Sequence, residues 1–229
     1  MTGRWVRSWS LVATGLVAVA VAAVPALTSV PAAAATLSVT AGKVTVSTRS
    51  YGSGTVCTLS ADADSYVARE LAGSNFGSAT SVQVSSDAVA TRRAFLHFTL
   101  SGCSPSIPSD ALVQSAKVRL TVSAVAAATR TYELHAASSS WDETSITWSN
   151  QPGVSSTVTG TAAVSTGAAA GTVVEWTATS DVQDFVTGAA TNAGWRISDS
   201  SEGGVGTPLL LNSRDASSGT PQLVITYLP

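Results

Sequence analysis

An apolar–polar alternation of period two constrains this chain more than any other feature. In "SAKVRLTVSAV", Ala116, Val118, Leu120 and Val122 fall on one side, with Lys117, Arg119 and Thr121 on the other. "RAFLHFTL" sets Leu96, Phe98 and Leu100 against His97 and Thr99, and "RTYELHA" sets Tyr132, Leu134 and Ala136 against Thr131, Glu133 and His135. "PQLVITYL" repeats the pattern with Leu223, Ile225 and Tyr227. Successive strand residues point to opposite faces, so each stretch reads as a strand with one buried side. Shorter candidates are "DSYVA", "SVQVSS", "TVVEWTA", "GWRIS" and "TPLLLN". Many short strands parted by Ser, Gly, Pro and Asn predict an all-β fold, an antiparallel β-sandwich of jelly-roll type.

One short helix interrupts the pattern. "TSDVQDFVTG" offers Ser180 as N-cap with Gln183 three residues on, the capping-box spacing. Val182, Phe185 and Val186 form its apolar stripe, and Gly188 is placed to end it.

The N-terminal stretch reads as a secretory leader. Arg4 and Arg7 precede an apolar run from Leu11 to Val24, and small residues follow to Ala33-Ala34-Ala35. The expected organisation is a signal peptide over 1–35, an extension or edge strand over 36–58, and the sandwich domain over 59–229. Without Arg4 and Arg7, ten basic side chains face fourteen acidic ones, a net charge of −4. That balance argues against nucleic acid, whose binders carry a basic stripe. No membrane span is expected after cleavage. The 194 remaining residues suffice for one core. With no second repeat or catalytic partner domain in view, the expectation is a secreted, extracellular lone module.

Cys57 and Cys103 are the only cysteines, and an exported chain permits their pairing. A bridge closing a loop of 46 residues is worth about 4 kcal/mol by the chain-entropy relation. No CxxC spacing exists for zinc or redox chemistry.

The richest stretch is "SSSWDETSITWSNQPG", Ser138 to Gly153. Asp142 and Glu143 are adjacent, so on a strand they diverge and do not flank one glycosidic bond. Trp148 with Asn150 and Gln151 suits a sugar platform, the ring stacking and the amides giving directed hydrogen bonds. The competing reading is a corner: Trp141 and Trp148 are seven apart, an odd separation that requires the chain to turn between them if both are buried. Asp142 suits such a turn, and the corner reading is favoured, more so for Trp141. Arg69, Arg92, Arg93, Arg196 and Arg214 supply forks that fit carboxylated sugars, against the plain alternative of ion pairs with Asp64, Glu70, Asp199 and Glu202. Asp62 and Asp64 leave a structural calcium open, though two acids are not a full shell. His97 and His135 read as surface histidines. No hydrolase or phosphate-loop motif is present.

The order "DSYV…NFGSATSVQV…RRAFLHFTLSG", followed by "SSWDETSITWSNQPG" and "LNSRDASSGTPQLVITY", resembles the DNRLRE-type domains grouped with carbohydrate-binding module family 96. The likeness runs from about Ala61 to Tyr227, with Asp215 where the name-giving motif usually has Glu and Phe76 in place of Tyr. It implies an extracellular jelly roll, with binding of acidic polysaccharide such as alginate attributed to some relatives. The resulting expectation is a secreted, non-catalytic module for a polysaccharide, an acidic one among the candidates. The binding residues are then Trp148, Asn150, Arg69, Arg92, Arg196 and Arg214. The alternative is a structural or adhesive surface domain with no discrete glycan ligand.

Overall fold

The computed structural model describes residues 34–40, 43–49, 54–204 and 206–229. Apart from Ala34 and Ala35, the expected leader lies outside the described residues. The chain divides into two units, Met1–Gly54 and Thr55–Pro229. Among the described residues of the first, β1 (Ala34–Thr40) pairs antiparallel with β2 (Lys43–Arg49).

The second unit is a sandwich of two antiparallel sheets. Six strands form one sheet, in the order β3 (Thr55–Ser60), β13 (Gln222–Leu228), β7 (Leu112–Ala124), β12 (Leu209–Asn212) and β5 (Ser81–Val84). The sixth, β10 (Val173–Thr177), pairs with residues 117–121 of β7, on the edge away from β13. The other sheet runs β4 (Ala63–Ala68), β6 (Arg92–His97), β11 (Trp195–Asp199), β8 (Arg130–Ala136), β9 (Gly160–Val164). From β3 to β8 each strand crosses to the opposite sheet, the interleaving of a jelly roll.

The alternating faces meet between the sheets. Val118, Leu120 and Val122 of β7 and Leu223, Ile225 and Tyr227 of β13 bury against Ala94, Leu96, Leu134, Trp195 and Ile197. Trp176 is fully buried and its indole N–H donates to the Tyr132 carbonyl at 3.0 Å, tying β10 to β8 across the core. A buried indole needs such a partner.

The helix α1 (Thr179–Thr187) starts differently from the sequence expectation. Ala178 is the N-cap, no side chain caps the helix, and Ser180 lies inside the first turn. Gln183 turns outward instead, accepting from Val113 N–H at 2.8 Å and donating to Ala111 O at 3.1 Å. Thr179 Oγ1 accepts from Ala116 N–H at 3.0 Å. Side chains that could satisfy the helix's own amides therefore serve the start of β7, where the β7–β13 register shifts. Gly188 closes the helix at φ +75°, a conformation glycine adopts freely. Val182 is buried and Phe185 packs against Trp195 with ring centroids 5.4 Å apart.

Cys57 and Cys103 are bonded across 46 residues, fastening edge strand β3 to the segment that leads into β7. Replacing both by serine is expected to lower unfolding stability by about 4 kcal/mol, the loop-closure entropy released to the unfolded chain. Urea denaturation at constant m-value reads the loss. A change well under 1 kcal/mol would show that the pairing of β3 with β13 alone holds that edge.

Candidate functional site

Strand alternation sends two large apolar side chains to the wrong side of the five-stranded sheet. Tyr66, Ala68, Ala94 and Leu96 face the main core, so Val67 and Phe95 between them face outward. The segment Ser138–Gly153 covers them. It leaves the sheet after β8 and closes on itself through Ser138 N–H to Gly153 O at 2.9 Å, dropping Ile146 onto Val67 and Phe95. Trp141 and Trp148 flank this second small core. Trp141 meets Phe95 edge-on at 5.7 Å and donates to Ala193 O at 3.0 Å. Asp142 Oδ1 accepts from the Thr144 amide and hydroxyl, making the turn between the two tryptophans.

A clasp holds the segment down. Asn75 Nδ2 donates to the carbonyls of Glu143 and Ile146, both at 2.8 Å. Gly77 lies so close that a Cβ there would come within 2.1 Å of Glu143 O, a contact only glycine permits. The Glu143 carboxylate accepts from Asp64 N–H at 2.8 Å and from Arg214 Nη1 at 2.7 Å. Arg214 N–H donates to Asp64 Oδ2 at 2.6 Å. Asp64 itself is 1% exposed, and its Oδ1 has no hydrogen-bond partner. Burial pushes its carboxyl up to about 7, with the Glu143 and Asp215 charges adding to the rise and the Arg214 amide opposing it.

Past the edge of this cover, the outer sheet face is polar. Arg196 of β11 pairs across to Phe95 of β6 and His135 of β8, and Ser198 pairs to Glu133. Arg93 stands one residue beyond the Ala94–Ile197 pair, on the same outer face as Phe95. Its guanidinium lies over the Trp148 ring, 4.6 Å from the centroid, and donates to Gln151 Oε1 at 3.1 Å. It also forks onto Glu202, at 2.8 and 2.6 Å. Arg196 Nε is buried without a partner. Burial, and then repulsion from Arg93, holds the Arg196 guanidinium below its ordinary value. One guanidinium, that of Arg93, thus lies on the indole, and that of Arg196 is near enough to Arg93 to be repelled by it. Arg offers planar forks for carboxylates, and the indole beneath the Arg93 guanidinium holds it in place by cation–π attraction.

The sequence-derived candidates scatter. Trp148 and Arg196 come to this face, joined by Arg93. Arg214 is in the clasp. Arg92 pairs with Glu70 and Gln83, and Arg69 donates to Ala88 O at 2.8 Å. Asn150 locks its own turn, accepting from Thr147 N–H and donating to Ser145 O. Asp62 bonds His97 and Thr99 while Asp64 faces the clasp, so the two acids considered for calcium do not converge. Among the described residues no three His, Cys, Asp or Glu side chains gather as a metal shell. His135 is buried rather than superficial, bonded to Ser155 O and Glu133. Arg119, Thr121, Val173, Gly219, Thr220 and Gln222 line a groove of about 250 Å³ on the six-stranded sheet, but it holds no aromatic ring.

A β-sandwich with an arginine–tryptophan face on one outer sheet has the build of a sugar-binding module. Residues 55–227 match the model of carbohydrate-binding module family 96, and the chain belongs to that family. No curated protein matches the chain. No helix among the described residues is long and apolar enough to cross a membrane.

The buried Asp64 makes a testable pH signature. Its folded value of about 7 exceeds the ordinary 3.8, so the native state holds a proton that the unfolded state releases. Its contribution to stability is full below pH 3.8 and is lost as pH rises through about 7. Asp64→Asn, which keeps an acceptor for Arg214 N–H, is expected to melt above the wild type at pH 8. The gap should close toward pH 4 in thermal unfolding. A gap independent of pH would show that Asp64 is ionised throughout.

Proposed function

We infer that the protein is a secreted, non-catalytic carbohydrate-binding module that takes a carboxylated polysaccharide on the outer face of its five-stranded sheet. The observation that carries this reading is Arg93 stacked on Trp148 beside Arg196, whose Nε is buried without a partner. A buried donor left unpaired costs about 1–3 kcal/mol, so a site that gains an acceptor on binding recovers it. Family membership supports the glycan class. The leader-like N-terminus and the Cys57–Cys103 bond support export. Asp142 is tied into a turn and Glu143 into the clasp, so neither is placed to serve a glycosidase pair. The packing of Trp141 and Trp148 on Ile146 also suits a structural surface domain, and binding data separate the two readings.

Affinity electrophoresis of the full chain through alginate, pectin, xylan, chitin and cellulose gels tests the proposal. Retardation by an acidic polymer is expected, with Arg196→Ala weakening it about tenfold, the loss of ~1.4 kcal/mol. Trp148→Phe, which keeps a ring over Ile146, is expected to weaken it less. A folded protein that no gel retards favours the structural domain.

A further inference from the structure

The Arg93 fork is already filled, and by a carboxylate of the chain itself. Glu202 Oε1 and Oε2 accept from Arg93 Nε and Nη2 in a two-point pair, with both side chains about a quarter exposed. This is the geometry a uronate carboxylate makes with a guanidinium. Its charge also reaches Arg196. With Glu202 in place, Arg93 and Arg196 are matched by Glu202 and Glu133, and the face has no surplus of positive charge.

The backbone around Glu202 is pinned on both sides. Before it, Ser201 N–H donates to Asp199 Oδ1 at 2.9 Å, and Ser201 O accepts from Arg130 at 3.0 Å. After it, Gly203 N–H donates to Ser86 O at 2.8 Å, and Gly204 O accepts from Ala88 N–H at 2.9 Å. Gly203 sits at φ +95°, which lets the chain turn back immediately after Glu202. Withdrawal of the carboxylate therefore needs only rotation of one side chain, not movement of a loop. The exchange is also cheap, because a partly exposed ion pair is worth only about 0–1 kcal/mol.

We propose that Glu202 is an internal stand-in for the ligand's carboxylate, occupying the Arg93 fork until a carboxylated sugar displaces it, and so setting the selectivity of the face for acidic over neutral glycans. This rests on the reading of the five-stranded sheet as the glycan face. A neutral sugar has nothing to offer Arg93 that equals what it displaces, whereas a uronate restores the same two hydrogen bonds. Glu202 is thus a specificity-determining residue acting by competition.

The test is isothermal titration of the full chain, wild type and variants, with polygalacturonate and with its methyl-esterified, uncharged form. Glu202→Gln removes the competing charge, and it is expected to tighten polygalacturonate about threefold, within the 0–1 kcal/mol that such a pair is worth, while leaving the esterified polymer unchanged. Arg93→Lys keeps the charge and the stem but loses the fork, and it is expected to weaken polygalacturonate in both backgrounds. Thermal unfolding checks that each variant is folded. Wild-type binding that Glu202→Gln leaves equal or weaker overturns the stand-in role and leaves the glycan face intact. Equal tightening of the esterified polymer also overturns it, since the competition would then not concern charge. Absence of binding by the wild type and every variant overturns the glycan face and this inference with it.

Discussion

Val67 and Phe95 on the outside of the five-stranded sheet are the constraint from which the rest of the site follows. A sandwich needs one apolar face per sheet, and this sheet has two. Fully burying side chains of this size is worth about 1.5–3 kcal/mol each, so leaving the pair bare would forgo about 3–6 kcal/mol, comparable to the net stability of a domain. Ser138–Gly153 answers that demand with Ile146 and the two tryptophans. Because it covers β4 and β6 and stops near Arg93, it sets a border between an apolar, closed region and a polar, open one. Trp148 stands on that border, packed against the small core and lying under a guanidinium.

The clasp explains why distant sequence signatures accompany one another. The Asn75–Gly77 turn, the Glu143 of the tryptophan-rich stretch and the Arg214 of the late loop meet at a single point. Their polar atoms are engaged with one another and with the backbone of the cover. They hold the cover in place, and the cover in turn fixes Trp148. Their chemistry is therefore that of positioning, with the buried Asp64 at the centre as its most costly member.

Much of the fold was legible because alternation is a local property. β7, β8 and β13 bury the residues that the period of two selects, and the cysteines pair as an exported chain of this kind permits. The helix start departs from the capping-box spacing because Gln183 is engaged by Ala111 and Val113, some 70 residues away in sequence, a tertiary demand that outweighs a local capping preference. The site was only partly legible for a related reason. Arg92 and Arg93 are neighbours in sequence, and only the register of β6 sends one toward Glu70 and the other to Trp148. In "DSYVA" and "RAFLHF" apolar residues occupy both faces of the strand, the mark of a strand covered on both sides, and such a strand implies a covering segment.

Chemical-shift mapping of the ¹⁵N-labelled chain during titration with a uronate oligosaccharide tests the central claim most directly. The account predicts shifts at the Trp148 indole N–H and at the amides of Arg93, Arg196 and Ser198, with the opposite sheet unmoved. Shifts confined to the groove around Arg119 and Thr121 would contradict it, placing the ligand on the other side of the sandwich.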